Sequence, residues 1–407
     1  MTPHAPFMRP VVENLEASRI REVANEGLGR DNVLKFWFGE SDEVTPAFIR
    51  DAAMASLQSG ETFYAHNLGL PELREALAVY TDGLHPGRGA AHWMDRLAVT
   101  SGGVNGLMLA SQALVEAGDE VVVVTPAWPN LVAQPQIMGA NVKSVPLRVL
   151  TSGERAGAWA LDMDALLSAI TPATRMLIVN APNNPTGWTL TRDEQATILA
   201  HCRRTGTWIL ADEVYERLYY AGDTPNGAAS SFLDVAEPED RVIVAHSFSK
   251  SFLMTGWRLG WLVLPAALTP AVGKLIEFNT SCAPVFVQRG ATVALQRGAE
   301  VTPALVAHLK TCRDTLVPLL RAVPGVTLAE PLGGMYAFFK LEGQDDCLDV
   351  AKRLVREAGI GLAPGSAFSP EAAGWLRWCF ASRDTRRLEE GVDRLRHWIA
   401  ARPGGGT

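Results

Sequence analysis

The chain has 407 residues, 47% of them hydrophobic and 20% charged, with a net charge of −7. That length is ample for a buried core and longer than one ordinary core fills, so two or more domains are expected. The acidic balance argues against a general nucleic-acid binder, which would carry a basic face, and no apolar run approaches the roughly 20 residues of a membrane span.

The first 27 residues lack the charged-then-apolar pattern of a secretory signal. They read as a short disordered lead followed by an amphipathic helix around residues 10–27. The five cysteines (Cys202, Cys282, Cys312, Cys347 and Cys379) are widely spaced and form no CxxC pair. That usage suits a reducing cytoplasm, where the chain is expected to reside, and gives neither a disulfide framework nor a zinc site. The histidines are scattered, with no HxH or HxxxH pair to support a metal centre.

From about residue 95, short apolar runs alternate with helix-length stretches. The runs are 97–100, 121–125, 176–180, 208–212, 241–246 and 259–264. Such spacing predicts an α/β fold whose mostly parallel sheet is covered by helices on both faces. After about residue 300 the texture changes. A helix over 302–320, strands near 326–329 and 335–341, a helix over 349–358, a strand near 376–380 and a last helix over 387–399 predict a smaller α+β domain. The expected division is 1–45 as an arm with part of the small domain, 46–298 as the large domain and 299–407 as the small domain. The glycines at 404–406 read as a frayed tail.

Unusual polar residues follow each run. SGGVNG comes after 97–100, PAWPN after 121–125, APNNPTG after 176–180, DEVY at the end of 208–212 and SFSK at the end of 241–246. In open α/β sheets, ligands bind beyond the carboxyl ends of the strands, so one ligand gathered by several strand ends is the simplest reading.

A lysine taken alone is ordinarily a solvated surface residue. Lys250, however, follows Ser247 and Ser249 at a strand end and precedes Arg258 by eight residues. That setting suits capture of a phosphate-bearing aldehyde: the amine forms an imine while the hydroxyls and the guanidinium hold the phosphate. Asp212 either caps the next helix or sits beneath a pyridine ring, keeping its nitrogen protonated so that the ring becomes an electron sink. Tyr215 is placed to hydrogen-bond that ring's phenolic oxygen. Asn183–Gly187 is a turn by composition, to which Asn184 adds a second donor for the same oxygen. Gly103 and Val104 lie in a glycine-rich loop whose backbone N–H groups suit a phosphate at a helix N-terminus; the loop does not match GxGxxG. Trp128 is either core or a stacking platform.

These motifs, in this order, resemble the class I and II aminotransferases of fold type I, the aspartate-aminotransferase superfamily, from about residue 36 to 395. The resemblance implies pyridoxal 5′-phosphate held by Lys250 as a Schiff base, with Lys250 also shuttling a proton between Cα and C4′. It implies Asp212 at the pyridinium nitrogen, Tyr215 and Asn184 at the phenolic oxygen, and Trp128 stacked on the ring. Ser247, Ser249, Arg258 and the backbone of Gly103 and Val104 would cradle the phosphate. Tyr64, in YAHNLG, is similar to a tyrosine that reaches the neighbouring subunit's phosphate, which implies a homodimer. Gly39, in FGES, resembles a turn beside the substrate carboxylate, with Ser41 in place of the usual proline. Arg377, in LRWCFA, resembles the arginine that grips that carboxylate, and it is preferred to Arg383.

The chain departs from the pattern at Val104, which cannot bind a distal carboxylate and argues against an aspartate-specific enzyme, and at Met335-Tyr336, where Ala-Phe is usual. The N-terminal helix, Trp37, Tyr336 and Trp128 are expected to shape the substrate's side-chain pocket. The expected reaction moves the α-amino group of an L-amino acid to a 2-oxo acid. Three rivals remain: a C–S β-lyase on the same scaffold, a cofactor-sensing regulator, for which the residues before FWFGES are too few to add a DNA-binding domain, and a dehydrogenase, which lacks its GxGxxG.

Overall fold

The computed structural model describes residues 7–152, 157–222 and 226–401; the first six residues of the expected lead and the glycines at 404–406 lie outside the described residues. Among the described residues, seven strands form the large sheet: β1 Leu97–Thr100, β2 Glu120–Thr125, β3 Asn141–Pro146, β4 Thr174–Asn180, β5 Trp208–Asp212, β6 Val242–Ser247 and β7 Gly260–Val263. Their order is β1-β7-β6-β5-β4-β2-β3. Only β7 runs antiparallel to its neighbours; the remaining pairs are parallel.

The uninterrupted apolar runs follow from burial on both faces. Val122, Val124, Leu177 and Val179 enter one apolar cluster, whereas Val121, Val123, Met176 and Ile178 enter the other. Successive side chains point to opposite faces, and each face is covered by helices, so no position is left for a polar residue. β3 is the exception. It lies at one edge of the sheet, and most of its NVKSVP side chains are at least partly exposed, so it presents no apolar run, whereas β1 at the other edge is buried throughout.

The C-terminal sheet is antiparallel, with β8 Val326–Leu328, β9 Tyr336–Leu341, β10 Ala363–Pro364 and β11 Trp375–Cys379 in the order β8-β9-β11-β10. The N-terminal arm joins it: the short strand Leu34–Lys35 pairs in parallel with Ile360–Gly361, and Phe36 stacks on Trp378 with ring centres 4.7 Å apart. The single amphipathic helix expected over 10–27 is two helices, Pro10–Glu13 and α1 Arg19–Glu26. Ser18 starts the second by accepting a hydrogen bond from the Arg21 amide, which ends the preceding stretch. Among the described residues no helix is long and apolar enough to cross a membrane.

The segment after β5 is fixed by a buried polar network. Glu213 accepts hydrogen bonds from the Ser231 hydroxyl at 2.5 Å and the Phe232 amide at 3.0 Å. His85 bridges Glu216 at 2.9 Å and Asp234 at 2.7 Å. Burial opposes a charge on His85, but the two carboxylates outweigh it and raise its pKa to about 10. His246, the other histidine beside Glu216, is pushed down to about 4 by burial and stays neutral. His85→Ala is therefore expected to cost about 3 kcal/mol near neutral pH, because Glu216 stays buried without its charged partner. The His85 contribution is complete below its unfolded value of 6.5 and is lost as pH rises through about 10. The melting temperatures of wild type and variant should converge across that window, and parallel curves would contradict the assignment.

Candidate active site

A cavity of about 500 Å³ opens at the carboxyl ends of the parallel strands. Gly103 and Val104 reach it after β1, Trp128 after β2, Asn184 after β4, Asp212 and Tyr215 from the end of β5, and Ser247, Ser249 and Lys250 from the end of β6. Arg258 precedes β7, and because β7 runs backwards its start lies at this same end. Gly39 comes from the N-terminal arm and Arg377 from β11.

Ser247 ends β6 and starts the short helical turn Phe248–Ser251 by accepting from the Ser249 amide at 3.1 Å. That turn lifts Lys250 into the cavity, where its Nζ donates to the Gly39 carbonyl at 2.5 Å. Burial of the ammonium pushes the lysine down to about 8. A sizeable neutral fraction at mildly alkaline pH makes it a competent nucleophile.

Asp212 is only 2% exposed, and its Oδ1 accepts from the Val214 amide at a long 3.4 Å. Burial pushes its pKa up to about 7. A carboxyl so placed gains most from a ligand N–H that brings positive charge. The two asparagines of the turn after β4 divide the work. Asn183 is structural: its Oδ1 accepts from the Thr186 amide and hydroxyl, and its Nδ2 donates to the Pro126 carbonyl. Asn184 is held by its amide donating to Asn180 Oδ1 at 2.7 Å, and its own Oδ1 accepts from Arg377 Nη1 at 2.8 Å. Because arginine only donates, the Asn184 amide nitrogen is left for the cavity. Gly187 ends this turn at φ +72°, and a β-carbon there would lie 2.8 Å from Pro331 Cα, so only glycine lets the turn pack on the C-terminal segment.

Arg377 is 2% exposed, with Nη2 donating to the Trp37 carbonyl at 2.5 Å. Its Nε has no hydrogen-bond partner among the described residues. Nη1 and Nη2 each keep a second hydrogen beyond these bonds, so the fixed guanidinium at the cavity retains a forked pair of donors that suits a carboxylate.

At the opposite end, among the described residues no side chain caps the first amides of helix α2 Gly103–Leu114. Gly102, at φ +98°, brings the chain so close to Arg258 that a β-carbon would lie 2.4 Å from Nη2. The Ser247 and Ser249 hydroxyls are 2.9 Å apart, and Arg258 Nη1 donates to the Thr255 carbonyl at 2.8 Å. Two hydroxyls, a guanidinium and an uncapped helix N-terminus together suit a phosphate dianion.

Two expectations require correction or qualification. Trp37 does not line the cavity: its ring packs against Gly27 and Gly361, and only its carbonyl serves the site. Phe38 lines the cavity instead, with the Arg21 guanidinium 4.9 Å over its ring. Tyr64 lies outside the cavity of its own chain and is 88% exposed. Ile20 and Arg21 of the N-terminal helix α1, expected to shape the pocket, also line the cavity, as do Glu40 of the FGES turn, Asn180 at the end of the run 176–180, and Thr255, which no quoted motif marks.

The family model described as "Aminotransferase class I and II" matches residues 32–395. An aspartate aminotransferase of Pyrococcus horikoshii is 30% identical over 392 residues, covering 96% of both chains. A probable N-acetyl-LL-diaminopimelate aminotransferase of Bacillus subtilis is 29% identical, covering 97% of this chain and 96% of its own. The crystal structure of an aspartate aminotransferase from Thermotoga maritima aligns with a TM-score of 0.86 at 30% identity, covering 97% of this chain and 100% of that one.

Proposed function

From the premise that the chain belongs to the class I and II aminotransferases and is a transaminase of that α/β fold, we propose that it moves the α-amino group of an L-amino acid to a 2-oxo acid in ping-pong half-reactions, with pyridoxal phosphate held as a Schiff base on Lys250. The observation that carries this reading is one cavity in which Lys250, with its pKa pushed down, faces Asp212, with its pKa pushed up, between a phosphate-like cradle and a buried arginine.

The donor set fits the cofactor. Arg258, Ser247, Ser249 and the amides of Gly103 and Val104 would bind the phosphate, and Trp128 would cover the ring. Asp212 would hold the proton on the ring nitrogen, and the Asn184 amide and Tyr215 hydroxyl would hold the phenolic oxygen. When bound, pyridoxal phosphate supplies an aldehyde for amine capture and a conjugated ring that accepts the electron pair left at Cα. The Lys250 amine, freed when the substrate amine replaces it, would take the Cα proton and return it at C4′. Arg377, with Asn184 and the backbone at Gly39, orients the substrate carboxylate so that the Cα–H bond faces Lys250. Tyr64 and its neighbour Phe63, 88% and 84% exposed, support a homodimer in which Tyr64 reaches the partner's phosphate.

Arg377→Lys is expected to weaken amino-acid binding roughly 10- to 100-fold, since one point charge replaces a forked pair of charged hydrogen bonds. Titrating the spectral change with substrate measures it, and an unchanged midpoint would remove Arg377 from this role. The reading as a whole is tested by adding single L-amino acids to the purified holoenzyme. A near-visible band that bleaches with stoichiometric 2-oxo acid is the expected result. A persistent band with ammonia released would replace transamination with elimination.

A further inference from the structure

Tyr336 has no role in the scheme above, yet its side chain is fully buried among the residues that do. It opens β9 and pairs with Cys379 in β11. Its hydroxyl lies 2.6 Å from the Tyr215 hydroxyl, with the two rings inclined at 78°. The Arg377 guanidinium sits 4.4 Å over the Tyr336 ring. The same hydroxyl fills the space beside Gly39, where a β-carbon would lie only 1.9 Å from it. One phenol thus touches Tyr215, Arg377 and the turn that receives the Lys250 hydrogen bond.

Each phenol carries a single hydrogen. If Tyr215 gives its own to the phenolic oxygen of the bound ring, the short contact persists only when Tyr336 donates to the Tyr215 oxygen. A hydroxyl that accepts a hydrogen bond becomes a stronger donor. We propose that Tyr336 is a positioning residue that donates to Tyr215, fixing that hydroxyl on the cofactor's phenolic oxygen and strengthening its bond there. This inference rests on the reading of Lys250 and Tyr215 given above.

The consequence is measurable on the cofactor itself. The proton of the Lys250 linkage and the Tyr215 hydrogen compete for the same phenolic oxygen, so a stronger Tyr215 donor favours the unprotonated linkage and lowers its pKa. The other titratable or charged groups around the pair are Arg377 and Cys379 of β11, Asp212 of β5 and Lys250. All of them remain in Tyr336→Phe, which keeps the ring and the Arg377 contact and loses only the donor. Burial holds both phenols above their ordinary range, so neither titrates in the same interval.

The experiment is a pH titration of the near-visible band in wild type, Tyr336→Phe, Tyr215→Phe and the double variant, each loaded with pyridoxal phosphate. Tyr336→Phe should raise the apparent pKa by roughly 0.5–1, the size of one hydrogen bond. In the Tyr215→Phe background it should add nothing. An unchanged pKa in Tyr336→Phe, or an equal rise in the absence of the Tyr215 hydroxyl, overturns the inference while the wild-type band leaves Lys250 in place. No band in wild type overturns both.

Discussion

Lys250→Ala is expected to lower turnover by about 10⁴-fold or more, because it removes both the amine that captures the cofactor and the base that moves the Cα proton. The variant should bind the phosphate end through Arg258, Ser247 and Ser249 while showing the spectrum of free rather than linked pyridoxal phosphate. The fold should be little disturbed, since among the described residues the side chain hydrogen-bonds only to the carbonyl of Gly39, a residue that lines the cavity. Added methylamine should restore part of the proton transfer if Lys250 is the base. Multiple turnovers in the variant without any added amine would remove Lys250 from the centre of the mechanism.

Asp212→Asn is expected to slow Cα proton removal by about 10²- to 10³-fold, the usual cost of losing one preorganised electrostatic partner of the reacting system. The neutral amide no longer holds a proton on the ring nitrogen, so the ring accepts electrons poorly. Stability should move the opposite way in the cofactor-free protein. The folded pKa of Asp212, about 7, lies above its ordinary 3.8, so the stability associated with the protonated carboxyl is lost as pH rises through that interval. Asparagine avoids this loss, and the cofactor-free variant should melt above wild type at pH 8 and level with it near pH 4. A wild-type rate in the variant would contradict the assigned partner, and a lower melting point at pH 8 would contradict the burial argument. Activity and stability are opposed at this one carboxyl, as expected where a site is built for a charged ligand.

How much of this was legible in the sequence follows from where each signal lies. Strands buried on both faces, such as 121–125 and 176–180, leave short apolar runs bounded by turn residues. The edge strand β3 leaves none, because most of its side chains are at least partly exposed. The break between the two N-terminal helices turned on one capping serine, Ser18, within an otherwise amphipathic stretch. At the site, residues in local motifs were readable: Ser247, Ser249 and Lys250 lie within four positions, and Asp212 and Tyr215 within four. Asn183 and Asn184 are the same residue type side by side, and only the fold separates the staple from the ligand-facing amide. The Tyr215–Tyr336 contact spans 121 residues and the His85–Asp234 contact 149. Pairings at that distance leave no local pattern. Trp37 shows the converse limit, since its sequence position was informative while its ring turned into the core and its neighbour Phe38 took the cavity wall.

The most direct test of the central claim is borohydride reduction of the protein loaded with pyridoxal phosphate, followed by peptide mapping. Reduction makes the linkage permanent, and the account predicts one cofactor per chain, on the peptide that carries Lys250. A label on another lysine, or none, would contradict it.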